Sequence, residues 1–492
     1  MKKKIAAIGL LAIALTSQSA SAKSLEDVLR EKGVITEEDY NEVTKAQKVP
    51  ADNTPATSAN NGGYTLKMKG ITVNLGGFIE AAGIYRSRNL NSDMSSKFQS
   101  LPLAYQPGYY QDETRFSARQ SRLSLLATGD VSPTTHLAGY YEMDFLGSAN
   151  SANSKESNSY NPRIRHLYTT VDWDKLGLHL LGGQTWSLVT MNNKGITPRN
   201  EVTPLTIEAQ YVPGFTWTRQ PQFRIVKDFD KKLWLAISVE NPQSVAGGTG
   251  TPAAIATNSA FGQAGGGNLD GVTLSANDYP DFVFKVAYEP GWGHFEVFDL
   301  LRTFESTVNP TGTKLVNKSH ITTTAVGAGV ILPLVPNQLN LTLSGMFGEG
   351  IGRYGSGQLP DVTQDASANI VPLRELSFLA GIIWDPTSEL TLYSYYGQEQ
   401  IENARSYAGG VGYGSLLNNN VTTFGSKFNG NIKRVSQATV GEWWKFYQGN
   451  FGKMQAGLQY SYTVDKYFEA TNGGAPTASD HMVFTSLRYY WQ

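Results

Sequence analysis

Charged side chains recur in this chain at positions where a β-strand would aim them all one way. Arg122 and Ser124 alternate with Leu123, Leu125 and Ala127; Arg224 stands between Phe223 and Ile225; Lys285 follows Phe282 and Phe284 and precedes Val286. Arg488 alternates with Leu487 and Tyr489, and Glu80, Glu142 and Asp144 obey the same rule. A side-chain period of two puts these charges on one face and the apolar residues on the other. Guanidinium groups gathered on one face would hold carboxylates or phosphates through paired N–H donors. Facing walls of opposite sign would instead set up a transverse field that orients dipolar solutes. Arginines crowd the early segments, at Arg86, Arg88, Arg115, Arg119, Arg122, Arg163, Arg165, Arg219 and Arg224, which tilts the reading towards anions. Any one of them could equally brace a loop or serve only the outer surface. Arg165, in phase with Leu167 and Val171, is expected at the rim rather than deep inside.

Catalytic patterns are sparse. His136, His166, His179, His294, His320 and His481 include no pair at H-E-x-x-H spacing, and there is no G-x-S-x-G elbow. "AGGGN" and "GGVGYG" are loop glycines without a following helix, a weak basis for a phosphate cradle. With no cysteine there is no disulfide framework or thiolate metal site. No cofactor, metal or enzymatic activity is expected. Two alternatives stay open: a non-conducting barrel for adhesion or surface binding, and an outer-membrane hydrolase, which needs only a Ser and a His meeting at the barrel wall.

The elements that would position these charges are strands. "NQLNLTLSGMFGEG" and "MQAGLQYSYTV" alternate over about ten residues, as a strand does between two different solvents. Such segments are predicted near 71–86, 117–129, 134–145, 164–173, 176–187, 215–229, 232–240, 281–289, 293–304, 321–333, 338–348, 374–384, 389–399, 433–446, 453–464 and 481–491. Tight turns such as "DVSP", "LVPN" and "QGNFG" alternate with long loops. Long, short, long, short is the layout of an all-β, 16-stranded antiparallel transmembrane β-barrel. The final strand, "VFTSLRYYW", closes the ring on the first, so no edge is left unpaired. Aromatic residues near segment ends, among them Tyr85, Trp173, Trp186, Trp217, Trp384, Trp443, Trp444, Tyr489 and Trp491, are expected at the membrane interfaces.

The net charge of −1 disfavours a nucleic-acid partner, and 17% charged residues is below the ~25% usual for soluble domains. Lys2–Lys4, an apolar run and an A-x-A site ending at Ala22 read as a signal peptide over residues 1–22. The run is shorter than the ~20 residues a spanning helix needs. Residues 23–48 read as a short helical segment: Leu25, Val28, Leu29 and Val43 form an apolar stripe that needs a partner. Residues 49–63 read as a linker and 64–492 as the barrel.

The motifs "LREKGVITEEDYNEV", "GGFIEAAGIYR", "SRLSLLATGDV", "AGYYEMDFLG", "RIRHLYTTVDW", "GGQTWSLV" and "PGFTWTRQPQFRI" resemble the DcaP-like family of trimeric outer-membrane porins. They cover the helical prefix and about the first half of the barrel; Leu167 stands where that family usually has Ala. The resemblance implies a homotrimer of 16-stranded barrels in the bacterial outer membrane, a periplasmic coiled coil, and uptake of small anions, dicarboxylates especially. A barrel of this size leaves a water channel, with selectivity set by charge at its narrowest point. The third long loop, residues 188–214, is expected to narrow it, carrying Lys194, Arg199, Glu201 and Glu208, with Pro198, Pro204 and Pro213 as stiffeners. Expected pore-lining residues are Arg122, Arg224, Lys285, Arg488, Glu80, Glu142 and Asp144. Expected partners are two further copies of the chain, outer-membrane lipid and lipopolysaccharide, and small anionic solutes.

Overall fold

The computed structural model describes residues 65–147, 160–248, 279–308, 317–367, 369–414, 421–423, 426–428, 430–469 and 474–491. The expected signal peptide, helical segment and linker lie outside the described residues.

Sixteen strands form one closed ring: β1 (Ile71–Arg86), β2 (Arg122–Ser132), β3 (Thr135–Gly147), β4 (Asn161–Trp173), β5 (Leu178–Trp186), β6 (Arg219–Phe229), β7 (Leu233–Glu240), β8 (Asp281–Tyr288), β9 (His294–Val308), β10 (Asn317–Val335), β11 (Leu339–Glu349), β12 (Arg374–Trp384), β13 (Leu390–Ile401), β14 (Ile432–Gly449), β15 (Gly452–Tyr467) and β16 (Thr477–Tyr490). Each pairs antiparallel with the next. Closure comes from β16 on β1, running from Ile79↔Tyr489 to Arg86↔Met482. Over Met482–Tyr489 the last strand is paired on both sides, with β15 and with β1, so this stretch leaves no open edge.

The outer face is apolar. Leu123, Leu125, Phe223, Ile225, Phe284, Val286 and Leu487 are all exposed on it. A closed ring with an apolar exterior satisfies its backbone internally and suits a bilayer. Trp384 and Trp444 are exposed near the short-turn end, as interfacial rings are. Trp186 and Trp443 are not: they are 2% and 4% exposed, and both belong to a core inside the ring.

That interior core is built from long loops. Loop 1 (residues 87–121) contributes Leu90, Met94, Phe98 and Leu101; loop 3 (187–218) contributes Ile207, Val212 and Phe215; loop 6 (350–373) contributes Leu359 and Leu373. They pack on inward Tyr393, Tyr395 and Trp443. Burying each such side chain is worth roughly 1.5–3 kcal/mol, so the loops are packed into the barrel rather than merely hung across it. Sequence reading placed only the third loop inside. It also drew one strand over 117–129, whereas the chain breaks at 118–121. Residues 113–117 pair with the upper half of β1, and β2 pairs with its lower half.

Candidate functional site

Loop 3 crosses the lumen. It leaves β5 and enters β6, yet the Gly214 N–H donates to Glu399 of β13 at 2.7 Å, and Trp443 of β14 donates to the Leu205 carbonyl at 2.7 Å. The Ile207 N–H donates to Gln459 of β15 at 2.5 Å. In a ring of sixteen, β13 is eight strands from β5 and so lies on the opposite wall. The crossing is tight: Gly214 sits at φ +90°, and a Cβ there would run into the Phe378 carbonyl. Only glycine fits such an approach at low cost.

Loops 1 and 6 lock this crossing. Ser96 of loop 1 donates its N–H to Glu208 at 3.0 Å and its hydroxyl at 2.5 Å. Gln210 donates to the Ser356 carbonyl of loop 6 at 2.8 Å, and Gln99 reaches the Gly357 carbonyl at 2.6 Å. Burial pushes the Glu208 carboxyl up, with Arg86 and Ser96 pulling it back.

The expected lumen residues fall into two kinds. Most are neutralised. Arg488 pairs with Glu80 at 3.0 Å and Lys285 with Glu296 at 2.7 Å. Glu142 lies 3.9 Å from Arg122 and 2.6 Å from Arg165; Asp144 lies 2.7 Å from Arg163 and 3.1 Å from Arg165. Arg165 is therefore not a rim residue. Between Glu142↔His166 and Met143↔Ile164 the register slips, leaving Arg165 as an extra residue on β4. Arg165 and His166 consequently both turn inward, 4% and 5% exposed. A bulge re-aims one side chain against the strand's phase, and alternation alone cannot foresee it.

The second kind has no carboxylate within 4 Å among the described residues. Arg224 donates to Gln222 and to the Trp186 carbonyl, each at 2.8 Å. Arg199, on loop 3 at φ +64°, donates to the Tyr168 hydroxyl at 3.1 Å and lies 5.5 Å from the Tyr140 ring centroid. Arg219, where loop 3 enters β6, stacks 4.8 Å from Trp186 and has a buried Nη1 with no partner. Arg219 also feels Arg163, Arg165, Asp144 and Tyr211. Lys194 is exposed. Glu201 is buried, with one carboxylate oxygen unpartnered. Burial pushes its carboxyl up, while Arg224 and Arg199 draw it back.

Tyr211 completes the arrangement from loop 3, also with a left-handed backbone at φ +65°. Two strained non-glycine residues on one lumen loop are held by the packing around them. Burial alone would raise the Tyr211 hydroxyl; Arg165, Arg122 and Arg219 outweigh it and bring it to about 8. Sequence reasoning missed Tyr211, and counted Arg219 only among many arginines. The one available hint was the Trp217-Thr218-Arg219 cluster at the loop's exit.

Among the described residues, no three His, Asp or Glu side chains converge as metal ligands. His481, which reaches the outer surface, bonds the Tyr460 hydroxyl at 2.7 Å.

The sequence matches no protein-family model and no curated protein. Solved structures do match. The outer membrane channel DcaP of Acinetobacter baumannii superposes with a TM-score of 0.61 at 18% identity, covering 88% of this chain and all of that one. OmpF of Salmonella typhi, in complex with daunomycin, gives 0.48 at 9% identity over 87% of this chain and all of that one. An anion-selective porin from Comamonas acidovorans gives 0.47 at 10% over 86% of this chain and all of that one. The first of these likenesses shows that the chain has the fold of an outer-membrane channel.

Proposed function

We propose that this chain is an outer-membrane porin: a water-filled channel through which small hydrophilic solutes diffuse, with a preference for small anions such as dicarboxylates. The observation that carries this reading is the set of guanidiniums on loop 3 and β6 with no carboxylate within 4 Å among the described residues, namely Arg199, Arg219 and Arg224. Arg122, Lys285 and Arg488, by contrast, already face a carboxylate. A guanidinium with no carboxylate in contact lowers the entry barrier for an anion and can hold a carboxylate bidentately. Binding must stay weak so that the solute leaves again. The likeness to an outer membrane channel supports the conducting role.

On this reading Glu80, Glu142 and Asp144 brace the wall, while Arg122, Lys285 and Arg488 shape the field around the path without serving as its anion contacts. Lys194 and Glu201 tune the edge of the crossing loop. The functional unit is a homotrimer, with the short turns and the segment at 23–48 on the periplasmic side. Liposome swelling tests the proposal. Succinate should enter faster than a neutral solute of similar size, and the margin should shrink when Arg199 and Arg219 are both changed to Gln. Equal rates for the two solutes in the unaltered protein would remove the anion preference. Absence of swelling with either would remove the channel.

A further inference from the structure

At the short-turn end of the barrel, His294 opens β9 between two carboxylates. Its Nδ1 lies 2.6 Å from Glu289 Oε1 and its Nε2 lies 3.1 Å from Glu296 Oε2. A neutral imidazole carries a single N–H, so bonding to carboxylates at both nitrogens requires the imidazolium. The charges then alternate along a chain of four: Lys285, Glu296, His294 and Glu289, with Lys285 2.7 Å from Glu296. The His294, Glu296 and Lys285 side chains are each no more than 3% exposed, and the four sum to zero only while His294 holds its second proton. Opposite His294, β10 offers the apolar Ile331. Arg224 and Glu201 are the next charges out, acting on Lys285.

Three of these four residues hold loop 3, and His294 joins two of them. The Asn192 N–H donates to Glu296 at 3.1 Å, the Gly195 N–H donates to Glu289, and Lys285 donates to the Thr190 carbonyl at 2.8 Å. Every one of these anchors is a member of the His294 chain or its immediate neighbour. Loss of the ring proton leaves one carboxylate without its donor and a net negative charge in a buried site, an arrangement that reorganises rather than persists.

We propose that His294 is a proton-operated latch on the lumen-crossing loop. The imidazolium seats residues 190–195 against β8 and β9, and its deprotonation frees them to move into the solute path. This rests on the porin reading for its consequence but not for its test. Hydrogen–deuterium exchange of a peptide spanning 190–196, corrected for the intrinsic pH dependence of exchange, reads the seating without any conduction. Between about pH 6 and about pH 9, across the imidazole range, protection in the unaltered barrel should fall by roughly tenfold, as expected when a charge-assisted hydrogen bond is lost.

Two substitutions should flatten that change in opposite ways. His294→Arg bridges both carboxylates at every pH and keeps the loop protected. His294→Gln satisfies one carboxylate at most and leaves it exchanging at every pH. His136→Gln serves as the control: His136 also sits between two carboxylates, Asp130 at 2.6 Å and Asp174 at 3.2 Å, but these tie neighbouring turns. It should behave as the unaltered protein. Tyr211 titrates in all of these proteins and cancels in the comparison. Protection that stays flat with pH in the unaltered protein, or a His294→Gln barrel that follows it unchanged, overturns the latch. If protection behaves as described but bilayers show no conductance, the latch stands and the porin reading falls.

Discussion

Arg165 offers the sharpest test of how the lumen wall is held. It is the extra residue of the β4 bulge, and it donates to Glu142 at 2.6 Å and to Asp144 at 3.1 Å. Changing it to Met keeps most of its volume and removes the charge. Removing one partner of a buried ion pair costs ~3–5 kcal/mol, because the other charge is left buried. Here the two carboxylates keep some support: Arg163 still bonds both Asp144 oxygens, at 3.0 and 2.7 Å, and Arg122 still stands 3.9 Å from Glu142. The expected loss is therefore at the low end, about 3 kcal/mol. Most of it belongs to Glu142, so adding Glu142→Gln should recover about half. The assay is urea unfolding of the refolded barrel in lipid, followed by tryptophan emission and by heat-dependent mobility in SDS. An R165M barrel as stable as the parent would place Arg165 at the water-washed rim after all. A double variant no better than R165M would show that the charge on Glu142 is not what is left stranded.

Three further outcomes follow from the loop geometry. Gly214→Ala adds a methyl group against the Phe378 carbonyl at a backbone angle that favours glycine, and should displace loop 3, seen as a changed single-channel conductance with the barrel still heat-modifiable. Trp443→Phe removes the donor to the Leu205 carbonyl and should cost about 1 kcal/mol, with noisier open-channel current. Tyr211 is neutral below about 8 and carries a negative charge above it. The proposed anion preference should therefore weaken as pH rises through that value, and Tyr211→Phe should remove this part of the change in reversal potential, with His294→Arg as the background that holds the latch fixed.

Strand positions were legible because each strand separates two solvents. Ile71–Arg86 and Arg374–Trp384 run over the very residues that alternation picked out. The inward and outward sorting of Arg224 against Phe223 and Ile225 follows from the same period. What the pattern could not carry was anything that breaks the period or joins distant residues. The bulge at Arg165 shifts phase by one residue. Trp186 and Trp443 read as girdle aromatics because they stand near strand ends, but Trp443 meets a loop carbonyl 238 residues away in sequence. Loops 1 and 6 enter the lumen through contacts of the same long-range kind, such as Gln99 with Gly357. Charge pairing is likewise a property of the folded wall. Arg122 and Arg224 look alike in sequence, yet Arg122 has Glu142 beside it while Arg224, among the described residues, donates to neutral acceptors.

The central claim is that guanidiniums without carboxylate partners at the loop 3 crossing set the selectivity of this channel. It is tested most directly by the reversal potential of the reconstituted protein under a potassium chloride gradient, with and without Arg199→Gln and Arg219→Gln together. The account predicts an anion-selective potential in the parent, a clear shift towards cations in the double variant, and little change with Arg122→Gln. A double variant with the parent's potential, or a parent that already prefers cations, would contradict it.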